Sequence, residues 1–398
     1  MPRRKAKSTG KTPFSLRLQA LRKQSDLKMD QLALAVGVSK SFISLLESGG
    51  RQPSREVVLN LSAALSQSLE DTEKDARDKL RDELLILAGF MPVNPRAVNA
   101  YRDTLLVYQQ ALAENPDDFR LFSRWLMALI RAEREEEAYT QIQEGFKRFQ
   151  ETAYMQCLLA HLELSKGNYE AALINQESAL KHVQQNPVAD LTEADLIFNL
   201  GAIHFLMGHK SMREGDQPNA LHHYAQAISA MEASLAKGAE PGSDVYILDE
   251  YARLLFNQAY LTQEPLHWEQ TIQAYRRVLI HPHKTALGVN ALRESAAFLG
   301  HAYTQKQDFA TAELTLGLLS AFQADYWLVS YLQACLYTAM FQSSQHPSWL
   351  DRALEALAQS LEQSPDRVRE EALHDPDLQG LRDARAKDFN RLLEEKTP

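Results

Sequence analysis

The sequence predicts an all-α protein: a small N-terminal group of five helices, then a long stack of helical hairpins. Three observations carry this. Apolar residues near the N-terminus fall at helical spacing around one glycine turn, small and large residues recur at fixed offsets from about residue 100, and charge divides sharply between the two regions. Residues 1–55 hold twelve Lys and Arg against three Asp and Glu, a segment charge of +9; the remainder carries −18, for a total of −9. A basic head attracts phosphates and an acidic body is repelled by DNA.

Residues 1–13 contain Arg3, Arg4, Lys5, Lys7 and Lys11 among Ser, Thr, Gly and Pro. They are expected to be a disordered basic arm that tracks the minor groove or nearby phosphates, or else a solubilising tail.

Leu32, Ala33 and Val36 then recur at helical spacing, and Gly37 supplies the backbone freedom to leave that helix. Val38 plugs the corner. Ser39 is placed to cap the next helix, whose Ile43 and Leu46 face inward while Lys40, Ser41 and Ser44 face out. The whole is a helix-turn-helix, and its outward face is the one that enters a major groove.

These residues resemble the lambda-repressor-like, xenobiotic-response-element (XRE) family of DNA-binding domains over residues 14–69. The match includes the upstream run Arg17-Leu18-Gln19-Ala20-Leu21-Arg22, the segment Glu47-Ser48-Gly49-Gly50-Arg51-Gln52-Pro53-Ser54, and a following helix over residues 57–65. The resemblance implies base reading by Lys40, Ser41 and Ser44, with Ser39 and Arg51 in the same DNA-binding set. It also implies a buried structural ion pair between Arg22 and Glu47. Met29 stands where the family often has a phosphate-binding glutamine, and Lys28 is the candidate replacement.

Residues 70–97 read as a connecting helix with Leu80, Leu84, Leu85 and Leu87 at helical spacing, ended by Gly89, Pro92 and Pro95 as a hinge. Beyond it, Leu159-Ala160, Gly167-Asn168-Tyr169, Ala172 and Ala179 form the clearest repeat unit, and Leu299-Gly300, Tyr303, Asp308-Phe309 and Ala312 form another. The offsets resemble the tetratricopeptide repeat over residues 98–365, with six or seven helical pairs and insertions near residues 208–217 and 342–348. Such pairs stack into a right-handed superhelix with a concave groove. Residues 366–398 are expected to form C-terminal capping helices.

A helix-turn-helix head on a tetratricopeptide body resembles the RRNPP-type regulators of Gram-positive bacteria and their phages. The resemblance implies a transcription regulator, repressor or activator, that binds double-stranded DNA as a homodimer and whose groove takes an effector, a peptide before a small molecule. Asn199, Asn257, Tyr260 and His301 are the candidate effector-binding residues, because an amide or ring nitrogen can pair with a peptide backbone. The bland reading is that they solvate an open groove. A second function class is a DNA-tethered adaptor whose repeats dock a partner protein.

Enzymatic readings find no motif. GxxxxGK[ST], the dinucleotide fingerprint, GxSxG and HExxH are all absent from the sequence, so no catalytic residue and no cofactor is expected. His222-His223 and His281-Pro282-His283 lack a ligand set with zinc spacing, and no metal is expected. Cys157 and Cys335 sit far apart in apolar helical contexts and read as free core thiols. Trp125, Trp268, Trp327 and Trp349 read as repeat core. No apolar run reaches about 18 residues, which gives the expectation of a cytoplasmic, nucleoid-associated protein that makes no use of a membrane.

Overall fold

The computed structural model describes residues 11–66, 74–90, 92–93, 97–150, 152–187, 191–238, 244–322 and 326–394. Arg3, Arg4 and Lys5 of the expected arm lie outside them. The described residues form 21 α-helices and no β-strand, distributed over two compact units, residues 1–188 and 189–398.

The first unit opens with α1 (Pro13–Gln24), α2 (Met29–Val36), α3 (Lys40–Glu47) and α4 (Arg55–Leu65). Each start has a local cause. Thr12, Ser39 and Ser54 accept from the backbone N–H of Ser15, Phe42 and Val57, which satisfies a donor that the first helical turn leaves free. Gly37, at φ 76°, ends α2 in the left-handed region that favours glycine. Phe14, Leu18, Leu32, Ile43, Leu46, Val58 and Leu61 are all buried and meet in one core.

That core extends into α5 (Lys74–Ala88), through buried Leu84, Leu85 and Leu87. The helix packs against α1 and α4 as well as against α6 (Val98–Glu114), and Glu83 pairs with Arg17 of α1 at 2.6 Å. Val93 beyond it is tied back to the helix, its N–H donating to Asp82 at 2.8 Å. Helices α7 (Phe119–Arg131), α8 (Glu135–Arg148), α9 (Thr152–Ser165) and α10 (Tyr169–Gln185) complete the unit as antiparallel hairpins. Small residues at their contacts, Ala138, Ala160, Ala172 and Ala179, are fully buried.

The second unit continues the pattern with α11 (Glu193–Arg213), α12 (Gln217–Ala236), α13 (Asp244–Thr262), α14 (Pro265–Ile280), α15 (Gly288–Gln305), α16 (Phe309–Phe322), α17 (Trp327–Ser344) and α18 (Ser348–Gln363). Consecutive members pack as hairpins, and each hairpin packs on the next. The expected insertion near residues 208–217 begins inside a helix. Gly208 lies inside α11, where a Cβ would come within 2.5 Å of the Tyr224 ring on α12. The extra residues lengthen two paired helices.

Helices α19 (Pro365–His374), α20 (Gln379–Ala384) and α21 (Ala386–Glu394) close the unit. Val368, Ala372, Leu381 and Phe389, with Leu378 of the 3₁₀ turn between α19 and α20, bury them in the same core as α17 and α18. The tryptophans divide: Trp125 and Trp268 are buried core, whereas Trp327 and Trp349 stay partly exposed and carry the guanidinium groups of Arg367 and Arg352. Cys157 and Cys335 are buried and form no disulfide.

Candidate nucleic-acid interface and repeat groove

The recognition-helix candidate, α3, owes its orientation to what lies beneath it. Ile43 and Leu46 are fully buried, and Glu47 at its end accepts from Arg22 of α1 at 2.5 and 3.0 Å. Arg22 also donates to the Leu27 carbonyl at 2.8 Å, so one guanidinium ties together α1, the approach to α2 and the end of α3. Hydrogen bonding to Glu47 holds the Arg22 pKa above its ordinary value, so the guanidinium keeps its charge.

With that side held down, Lys40, Ser41 and Ser44 project into solvent. Ser39 is also exposed, but its hydroxyl is engaged in capping Phe42 at 3.1 Å. Lys28 sits exposed before α2, its backbone N–H donating to the Gln31 side chain at 2.8 Å. Arg51 lies over the Phe42 ring at 5.0 Å, a contact worth about 0.5–1 kcal/mol at an exposed position that keeps its charge beside α3. Exposed Lys40, Ser41 and Ser44 with Arg51 beside them, and Lys28 exposed before α2, supply donors that phosphates and base edges accept. Two leucines that sequence reading did not single out, Leu34 and Leu45, are exposed on α2 and α3.

Of the groove candidates, Asn199 and Asn257 fall on α11 and α13. The Asn257 amide donates to the Arg253 carbonyl of its own helix at 3.0 Å. Tyr260 and His301 are brought together with a partner that the sequence did not suggest, an acidic turn of the same unit. Tyr260 and Tyr331 donate their hydroxyls to Asp375 at 3.4 and 2.6 Å. Nε2 of His301 lies 3.1 Å from Asp377, which also accepts from Gln305 at 2.9 Å. Asp377 offers only acceptors when ionised, so the His301 proton belongs on Nε2.

Burial of Asp377 opposes its charge, yet the His301 and Gln305 hydrogen bonds outweigh this and hold its pKa below the ordinary carboxylate value. Burial pushes the Tyr260 and Tyr331 hydroxyls well above theirs, and the nearby carboxylates add to it, so both remain donors. The Cys335 thiol lies 4.0 Å from Asp375. Cys335, Asp375 and Asp377 place three ligand atoms within 4.8 Å of one another, but N–H and O–H donors already serve both carboxylates. His223 pairs with His204, and His281 with Asp244, each at 3.2 Å.

Among the described residues no single helix is long and apolar enough to cross a membrane. Residues 18–71 match the Helix-turn-helix family, so the N-terminal segment is a helix-turn-helix DNA-binding domain. No curated protein matches the chain. Among solved structures, the C-terminal part of a TPR repeat-containing protein from Cytophaga hutchinsonii is 14% identical, with 72% of this chain and 96% of that one covered, at a TM-score of 0.42. Bacillus thuringiensis PlcR, solved with the peptide PapR7 and DNA, is 14% identical over 78% of this chain and 98% of its own, at 0.29. The human IFIT1 dimer with m7Gppp-AAAA is 13% identical over 96% and 87%, at 0.42. At such identities and scores, none of these likenesses assigns a ligand or partner to this chain.

Proposed function

We propose that the protein is a transcription regulator that binds a specific operator as a homodimer and whose repeats bind an effector, a peptide by preference, that alters the arrangement of its DNA-binding heads. The observation that carries this is the exposed Lys40, Ser41 and Ser44 face on a helix anchored from below by Ile43, Leu46 and the Arg22–Glu47 pair. A helix so held presents a fixed donor pattern, which sequence-specific reading requires. Lys28 and Arg51 flank it as phosphate contacts, and Arg3, Arg4 and Lys5 are assigned to the arm that adds sequence-independent affinity. Two-fold pairing of heads would place recognition helices one DNA turn apart on a palindromic site.

For the effector to act, it must bind two shapes of the repeats unequally, by about 1–3 kcal/mol for a useful response. The residues proposed for this are Asn199, Asn257, Tyr260 and His301. A second reading, a DNA-tethered adaptor that docks a partner protein, draws on the exposed Val289, Leu314, Leu318 and Phe322 of α15 and α16. Val289, Leu318 and Phe322 border a cleft of about 280 Å³ lined by apolar side chains except for Arg293.

Random-library DNA selection with the full chain, with and without an extract of its host, tests both. An inverted-repeat site whose occupancy changes with extract supports the effector-gated regulator. A site indifferent to extract favours the adaptor, and enrichment of no sequence overturns the DNA-reading proposal.

A further inference from the structure

The first helices of three successive hairpins aim four donors at one turn. Tyr260 comes from α13, His301 and Gln305 from α15, and Tyr331 from α17, and they meet two carboxylates that lie two residues apart in a single 3₁₀ turn, Asp375-Pro376-Asp377. The donors belong to the repeats and the acceptors to the closing segment. His301 and Tyr331 are 2% and 3% exposed, so without a carboxylate opposite them the Tyr331 hydroxyl would be buried and unpaired and His301 Nε2 would keep only the Gln305 amide at 3.3 Å. Such a set is built for an acidic group.

We propose that these four residues form a recognition site for an aspartate-bearing peptide segment, and that the chain's own Asp375-Pro376-Asp377 turn is its resident occupant, which an incoming acidic peptide replaces. A polar cleft of about 280 Å³ continues from Asp377, lined by Gln305, Gln307, Gln342 and Ser343. It offers amide and hydroxyl partners to the backbone flanking an incoming aspartate. The site rests on the effector reading above and supplies its ligand class. Exchange competes with burial of Leu378 and Leu381, so the resident turn sets a threshold that a peptide must exceed.

The probe is a fluorescent synthetic peptide of residues 371–382, with a control in which both aspartates are asparagine. Against the full-length Asp375→Asn, Asp377→Asn double variant, the aspartate peptide is expected to bind about tenfold more tightly than to the natural chain, because the resident competitor is weakened. Adding Tyr331→Phe should remove the gain. Equal binding of the aspartate and asparagine peptides overturns the proposal. Should the double variant not fold, hydrogen exchange of the natural chain decides: faster exchange at residues 375–378 with the aspartate peptide than with the control supports exchange of the turn, and no difference refutes it. Neither measurement involves DNA. A peptide that binds without altering operator occupancy therefore removes the effector reading alone, and an effector that acts without aspartate preference removes this one alone.

Discussion

Arg22 of α1 grips both carboxylate oxygens of Glu47 at the end of α3, and the two side chains are 11% and 3% exposed. A buried pair of this kind stabilises mainly in the sense that neither member can be lost singly. Arg22→Ala or Glu47→Ala should destabilise the head by about 3–5 kcal/mol, since the survivor is left as an uncompensated buried charge. Hydrogen exchange of residues 13–65 reads the loss locally. A change below about 1 kcal/mol would place the pair among screened surface contacts instead.

Lys40 tests the register of α3. If it reads a base edge, Lys40→Ala should cost about 1–3 kcal/mol on the selected site and relax preference at one or two base pairs. Competition titrations on site variants separate the cases. Equal weakening on every DNA sequence would make Lys40 a phosphate contact.

Two glycines of the second unit predict opposite signs. At Gly208 an added methyl meets the fully buried Tyr224 ring at 2.5 Å, so Gly208→Ala should destabilise by about 1–3 kcal/mol through overpacking. At Gly317 in α16 nothing lies within 4 Å, so Gly317→Ala should stabilise by about 0.5–1 kcal/mol through its better helix propensity. Urea unfolding of both variants measures the difference. Equal signs would contradict the close α11–α12 approach.

His161 on α9 supplies a pH dependence. Burial, with the positive charge of Arg131 adding to it, pushes its pKa down from 6.5 to about 4. Between those values the unfolded chain binds a proton that the folded chain does not, so folding loses stability as pH falls through that window and keeps it in full above. His161→Gln should flatten this part of the profile. An unchanged slope of unfolding midpoint against pH between 6.5 and 4 would count against it.

The head was legible because its signals are local. Ser39 caps three residues ahead, Gly37 turns the chain where it stands, and Leu32, Val36, Ile43 and Leu46 share a core at helical spacing. Repeat hairpins were legible for the same reason: alanines at fixed offsets mark close helix contacts wherever they occur. Irregular repeat spacing marked the insertion at Gly208, but spacing alone does not say whether the extra residues form a loop or lengthen helices. Only the buried Tyr224 opposite it shows that the helices themselves are longer.

Helical class, charge division and the solvent-facing side chains of α3 were thus settled by residues within a few turns of one another, where backbone sterics and periodicity decide. Tertiary structure alone decided that α5 shares the core of the head, and that Tyr260 finds Asp375 across 115 positions while Gln305 finds Asp377 across 72. No periodicity links such distant partners. They meet because stacking successive hairpins on buried alanines and leucines returns the end of the chain to α13, α15 and α17, where burial makes an unpaired donor costly and a carboxylate its remedy.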